Sequence, residues 1–338
     1  MSIGKFPEFY VDVTKEATKI PQEQYHAVGR YPIIDQGQKS IAGMWDNPEG
    51  LYEKVPAIVF GDHTRVIKYV DTPFFIGADG VKVLRPADDG DNVKYLFYVL
   101  QAARIPNLGY SRHFKAVKEL EIRMYPRKKQ DEIVCVLEQV DSLIGQRQNE
   151  IMQMDQLVKS RFFELFYDKG YPVLKWNEVF STTTGKLDSN AAVVGGEYPF
   201  FTCSKETLRI DKYAFEQEAL LLAGNNAAGK YDVKYYNGRF NAYQRTYVLE
   251  LKENWSYRLF QCQLEDKLEY LQQQSLGGLT KYLTLKILGE LSFIIPPKEL
   301  QNEFEVFVAE VDKSKLAVKQ GLEKLETLKK SLMQQYFG

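Results

Sequence analysis

Apolar positions along the chain follow two regimes. Over residues 126–166 and 296–337 they recur at three- and four-residue steps, and elsewhere they form short runs broken by Gly, Asp and Asn. In the first periodic stretch Ile133, Leu137, Val140, Ile144, Ile151, Met154 and Val158 keep this spacing with one position skipped. In the second, Phe304, Val308, Val311, Val318, Leu322, Leu325 and Leu332 keep it with two positions skipped. Each stretch is introduced by proline, Pro126 in one and Pro296 with Pro297 in the other, and neither contains a proline further in. The pattern predicts one long helix in each case, with the narrow apolar stripe of a coiled coil and a solvated charged face. Roughly forty residues at a 1.5 Å rise span about 60 Å. A compact domain cannot enclose such a helix, so the two are expected to pack on each other.

The two helices are copies. Gln130 aligns with Gln301, Glu132 with Glu303, Val140 with Val311 and Asp141 with Asp312, all at one shift (301 − 130 = 171), and the register holds to Phe166 and Phe337. Ahead of each helix lies a block of about 125 residues, and the blocks also match. GRYPIID at 29–35 aligns with GEYPFFT at 196–202, and AIVFGD at 57–62 with ALLLAGN at 219–225. FIGADGVKVLRP aligns with FNAYQRTYVLEL, and GYSRHF at 109–114 with GLTKYL at 278–283, the last pair at a shift of 169 (278 − 109). The duplication covers the whole chain. Runs rich in Val, Ile, Tyr and Phe between Gly, Asp and Asn turns predict β-strands, and VKYLFYVLQAARI and SYRLFQCQLEDKLEYLQQQ predict helices. The first block starts almost at its first strand, FPEFYVDV, while the second has the fuller lead-in VLKWNEVFSTTTGK. A trimmed N-terminal edge is therefore expected in the first, with Lys5 and Lys19 not equivalent to Lys175 and Lys186.

Composition adds bounds. At 338 residues, 44% hydrophobic and 26% charged, the chain can bury two globular cores. The formal charge of −1 shows no bulk excess of cations, so any contact with phosphates must come from a locally basic face. Cys135, Cys203 and Cys262 are far apart, which argues against a disulfide framework or a zinc site and for a cytoplasmic location. No apolar run approaches the roughly 18 residues of a membrane helix, and the N-terminus lacks a signal pattern.

This arrangement resembles the specificity (S) subunits of type I restriction-modification systems. The likeness is carried by GYSRHF and GLTKYL near the block ends, the proline-led PRKKQDEI and PPKELQNEF, and the terminal KSRFFELF and KKSLMQQYF. It implies an α+β chain with two tandem-duplicated mixed α/β target-recognition domains, separated by two long helices forming an antiparallel coiled coil. The expected boundaries are 1–125 for the first recognition domain, 126–168 for the central helix, 169–295 for the second domain and 296–338 for the C-terminal helix. The implied function is recognition of a bipartite, asymmetric site on double-stranded DNA. The partners would be methyltransferase subunits, expected in two copies, and restriction subunits where cleavage occurs. S-adenosylmethionine, ATP and Mg would belong to those partners, with no cofactor or metal in this chain.

Candidate base and phosphate contacts are the polar and basic residues of the turns, because Asn and Gln pair with adenine edges and Arg or Lys with guanine or phosphate. In the first block these are Gln36, Gln38, Lys39, Ser40, His63, Thr64, Arg65, Tyr110, Ser111, Arg112 and His113. In the second they are Ser204, Lys205, Asn225, Asn226, Lys230, Tyr243, Gln244, Arg245, Thr280, Lys281 and Tyr282. No catalytic residue is expected. FIGADG has too few glycines for a nucleotide loop, IIPPK lacks the Asn of an amino-methyltransferase motif, and His26, His63 and His113 have no ligand spacing. Glu132, Asp141, Glu303 and Asp312 read as caps and salt bridges. Two other readings are a protein-interaction scaffold with duplicated coiled-coil helices, and a stand-alone nuclease or methyltransferase, for which no carboxylate-Lys cluster or nucleotide loop is found.

Overall fold

The computed structural model describes residues 2–77, 79–109, 111–227 and 229–338, so Tyr110 lies outside the described residues. The chain divides into two compact units, Met1–Gln148 with Gln320–Gly338, and Asn149–Lys319. Each unit thus combines one recognition block with part of both long helices.

The first unit begins with β1 (Ser2–Lys5), a single turn α1 (Phe6–Phe9) and β2 (Tyr10–Asp12). It continues with β3 (Tyr31–Ile34), β4 (Gly43–Trp45), β5 (Ala57–Gly61), β6 (Ile67–Val70), β7 (Phe75–Ile76) and β8 (Val81–Pro86). Helices α2 (Val93–Ala102) and α3 (Phe114–Val117) precede β9 (Glu121–Met124) and the long α4 (Arg127–Phe166). Strands order as β2-β8-β5-β6, beside β4-β3-β7 and the pair β1-β9. Strand β5, AIVFG, is buried along its whole length. With side chains alternating between faces, Ile58 and Phe60 join Leu84 and the α2 residues Tyr95, Leu96 and Val99 in one core. Ala57 and Val59 join Ile34, Phe74, Ile76 and Val83 in another.

The second unit repeats the plan with β10 (Val173–Lys175), α5 (Trp176–Val179), β11 (Phe180–Thr184), β12 (Tyr198–Phe201), β13 (Leu208–Ile210) and β14 (Phe215–Ala223). Then come β15 (Asn225–Asn226), β16 (Val233–Ala242), β17 (Thr246–Leu251), α6 (Tyr257–Asp266), α7 (Leu268–Gln274), β18 (Lys281–Tyr282), α8 (Leu285–Gly289), β19 (Ser292–Ile294) and the long α9 (Lys298–Phe337). Its central sheet is six-stranded, β11-β17-β14-β16-β12-β13. Leu220, Leu222 and Leu249 face Phe260, Leu264 and Leu271, while Ala219, Leu221 and Val248 face Phe201 and Phe240.

The trimmed edge expected in the first block is absent. Lys5 and Lys175 both open their short helices by donating a backbone N–H to a glutamate, Glu8 at 2.6 Å and Glu178 at 2.7 Å. Phe6 and Trp176 then donate to Leu120 O and Leu291 O at 3.0 and 3.1 Å. β1 pairs with β9 as β10 pairs with β19. The match rests on backbone pairing, and Ile3 in β1 is exposed, so no hydrophobic alternation announces the strand.

Repeated residues of the long helices bind each block to its helix. Gln130 and Gln301 are buried. Their side-chain oxygens accept from the N-cap residues of α2 and α6, Asn92 N–H at 2.8 Å and Ser256 N–H at 3.0 Å. Their amides donate to Tyr125 O at 2.9 Å and Pro296 O at 2.8 Å. A buried amide satisfied at both ends fixes the angle at which a block meets its helix. Asp141 accepts from the Tyr98 hydroxyl at 2.8 Å, and Asp312 pairs with Arg258. Lys94 lies 3.8 Å from the ring of Tyr69, and Arg258 lies 4.1 Å from that of Tyr235, each a cation over an aromatic face.

In the second unit Arg161 meets Glu303 and Asp155 meets Lys315, so residue numbers rise along α4 as they fall along α9: the helices are antiparallel. In the first unit Lys329 pairs with Asp141. Lys315 and Lys329 occupy the skipped positions of the apolar stripe, where an ion pair fixes register. Ile144, Ile151, Met154, Val158, Val318, Leu322, Leu325 and Leu332 are half-buried. The stripe positions nearest the blocks are fully buried and have a second job. Ile133 and Leu137 complete the α2 core, and Phe304 and Val308 pack with Phe162, Phe166 and Leu259.

Candidate nucleic-acid interface

In the first unit the predicted turns gather at one end of the sheet. The Gln36 side chain donates to Asp79 O at 3.1 Å and accepts from His63 N–H at 3.2 Å, and its carbonyl accepts the Thr64 hydroxyl at 2.5 Å. Asp62 donates its N–H to Gly80 O at 2.7 Å, and its carboxylate accepts from Phe114 N–H at 2.7 Å. Arg65 takes a left-handed φ of 61° and donates from its guanidinium to Ile105 O at 3.3 Å. Four side chains, Gln36, Asp62, Thr64 and Arg65, thereby join the segments 35–40, 62–66 and 79–80 with Ile105 and Phe114.

His113 was expected at the surface and is not there. It is 1% exposed. Its Nδ1–H donates to Asp62 O at 2.8 Å, and Nε2 accepts from Leu108 N–H at 3.0 Å. These partners define a neutral tautomer, and no edge is left for a nucleotide. Gln36 and Arg65 are also committed to holding the turns. Gln38, Lys39, Ser40, His63, Thr64, Ser111 and Arg112 are exposed.

In the second unit the corresponding turns meet through the backbone. Gly224 N–H donates to Arg245 O and Leu283 N–H to Gly224 O, both at 2.8 Å, and Tyr243 N–H donates to Phe201 O at 2.9 Å. β15 pairs with β18, placing Asn225 opposite Tyr282 and Asn226 opposite Lys281. Ser204, Lys205, Lys230, Gln244, Arg245, Thr280 and Tyr282 are exposed, and Asn225, Asn226, Tyr243 and Lys281 are half-buried. The N–H groups of His113 and Leu283 close onto equivalent carbonyls, Asp62 O and Gly224 O. Leu283 therefore stands where His113 does, a shift of 170 (283 − 113), one more than the sequence match implied.

Lys39, Arg112, Lys205, Lys230, Arg245 and Lys281 have no ion pair and no side-chain hydrogen bond among the described residues. Each unit therefore carries cations on its turns that no acidic partner among the described residues neutralises, although the formal charge of the chain is −1. Two basic residues escaped the sequence reading: Lys68 and Lys234, which reach the carbonyls of these turns from the sheet. The repeated triplets Ile67-Lys68-Tyr69 and Val233-Lys234-Tyr235 are the signal that could have revealed them. Beyond the turns, a cleft between α6 and the second unit's helix pair holds Cys262, whose thiol is pushed up to about 12 by burial, and Glu265, raised by burial. Among the described residues no cluster of His, Cys, Asp and Glu could hold a metal ion, and no helix is long and apolar enough to cross a membrane.

Residues 11–153 and 169–328 match the family model described as the type I restriction modification DNA specificity domain. The chain belongs to this family. Over 157 residues, 44% of its length, this specificity-domain chain is 34% identical to the EcoDI specificity subunit of a type I restriction enzyme from Escherichia coli. That match spans 34% of the relative. A second match, 31% identical over 94 residues, covers 27% of the chain and 23% of the EcoR124I/EcoR124II specificity subunit from Escherichia coli. The chain thus matches about a third or less of these curated relatives. The crystal structure of a type I restriction-modification S subunit from M. genitalium superposes with a TM-score of 0.64 at 17% identity, covering 98% of this chain and 94% of that one. The specificity-domain fold is therefore shared along almost the whole chain.

Proposed function

We propose that this chain is the DNA-reading subunit of a type I restriction-modification complex. Each unit reads one half of a bipartite site on double-stranded DNA, and the two halves differ because the turns present Gln38, Lys39 and Ser40 in one unit and Ser204 and Lys205 in the other. The observation that carries this reading is the convergence of equivalent turns in both units, each presenting unpaired cations around polar side chains. Exposed Lys and Arg at the tips engage phosphates and set orientation, while Gln, Asn, Ser and His reach base edges.

The chain's own part is to bind and to place an adenine before partner methyltransferase subunits, two per chain, which bring S-adenosylmethionine. Restriction subunits bring ATP and Mg where the complex also cleaves. The reading is tested by co-expressing the chain with its methyltransferase subunit and mapping adenine methylation across the host genome by long-read sequencing. A split motif with a fixed gap is expected. A stable complex that leaves no motif would instead favour the scaffold alternative.

A further inference from the structure

The recognition turns are tied down from behind by two lysines in the same register. Lys68 in β6 lies opposite Val59 of β5, and Lys234 in β16 lies opposite Leu221 of β14. Val59 and Leu221 pair in turn with Val83 and Val248. The lysine side chains are only 10% and 17% exposed. The Lys68 ammonium donates to Lys39 O at 2.6 Å and Asp35 O at 2.7 Å, with Asp35 Oδ1 at 3.3 Å. The Lys234 ammonium donates to Ser204 O at 2.5 Å and lies 3.4 Å from Asp232 Oδ2.

A lysine withdrawn from water is an expensive way to stabilise a sheet, since an apolar chain of similar length would avoid the desolvation. Burial does hold the Lys68 amine below its ordinary range. What an ammonium supplies and an apolar chain cannot is a set of donors that gathers the carbonyls of a turn inward. With the carbonyls of Asp35, Lys39 and Ser204 drawn back, the side chains of Lys39, Ser40 and Lys205 project outward from a fixed backbone. A reading group must be held to a fraction of an ångström for a base-edge contact to discriminate.

We infer that Lys68 and Lys234 are positioning residues, each setting the sequence discrimination of its own half-site without touching DNA. The inference rests on the DNA-reading function proposed above and adds which buried groups govern it. It is tested in the complex with the methyltransferase subunit, by comparing methylation at intact sites with methylation at sites carrying one changed base in either half. In Lys68→Met, methylation of sites altered in the first half should rise about tenfold relative to the intact site, the scale of one lost base contact. Sites altered in the second half should behave as in the wild type. Lys234→Met should do the converse, and Lys68→Arg, which keeps charge and donors, should retain discrimination. If Lys68→Met fails to accumulate, Lys68→Gln carries the same expectation with part of the donor set kept.

Unchanged discrimination in both halves would overturn the inference. So would an even relaxation of both halves, which would mark a global loss of structure, or a uniform drop in affinity with a shallower salt slope, which would mark a direct phosphate contact. A wild-type complex with no motif would overturn the underlying reading and this inference with it.

Discussion

The two units build the same recognition end on sheets of different continuity. In the second, β16 runs unbroken from Val233 to Ala242 within a six-stranded sheet. In the first, the equivalent strand is interrupted by Asp71, Thr72 and Pro73, leaving β6 and β7 in separate sheets. Proline has no N–H to give to a ladder. Parallel pairing resumes beyond the break: Ile33 pairs with Phe75 as Phe200 pairs with Asn241. The turns differ likewise, being held by the side chains of Gln36, Asp62 and His113 in one unit and by the β15–β18 backbone pairing in the other. What both units keep is the clamp on the long helix and the lysine behind the turn. The scaffold is thus anchored at its base and rim, and the loops between can differ, as the proposed reading of two different half-sites requires.

Breaking the anchor at the helix should have the largest effect. Phe304 is 0% exposed and stacks edge-on against Phe162 and Phe166. Phe304→Ala should cost about 3–5 kcal/mol in urea unfolding. The glutamine clamps come next. Gln301→Leu strands the buried N–H of Ser256, and Gln130→Leu the half-buried N–H of Asn92, so each should cost about 1–3 kcal/mol. Equal losses would support equivalence of the two clamps, and a loss in only one would break it.

These anchors were partly legible in the sequence. The apolar stripe of α4 and α9 is visible because helical periodicity survives over forty residues. Gln130 and Gln301 are visible as a repeat, although their partners are backbone groups that no pattern names. Asp141 and Asp312 read in the sequence as cap or salt-bridge residues, and both form ion pairs, with Lys329 and Arg258. The positions of the turns were legible from Gly, Asp and Asn. The fate of individual turn residues was not, because a polar residue in a turn looks the same whether it faces water or, like His113, is folded inward onto a carbonyl. Nor was the role of Lys68, since burial of a lysine amine follows from the folding of the turn at Asp35 and Lys39 over β6.

Smaller effects sharpen the comparison at the surface. Arg112→Ala and Arg245→Ala should weaken DNA binding similarly for all sequences and lower the slope of log affinity against log salt by about one unit each. An effect on one half-site's sequence preference would make the residue a base reader.

The smallest effect separates the units by pH. Counting from the N-caps Asn92 and Ser256, Gln101 and Glu265 occupy the same place in α2 and α6 (101 − 92 = 9; 265 − 256 = 9). Burial raises the Glu265 carboxyl above its ordinary value, so the folded state favours the protonated form. That contribution is complete below the ordinary carboxylate range and is lost as pH rises through the raised value. Glu265→Gln, which copies the first unit, should therefore raise the unfolding midpoint at neutral pH, with a gain that fades on acidification. Thermal melts from pH 4 to 8 would show it, and a gain independent of pH would contradict the assignment.

The central claim is that two different readers sit on equivalent scaffolds. Exchanging residues 1–125 and 169–295 between the long helices and mapping adenine methylation in the complex tests it most directly. The account predicts a split motif with the wild-type halves in reversed order. A motif left unchanged by the exchange, or replaced by one unrelated to either half, would contradict it.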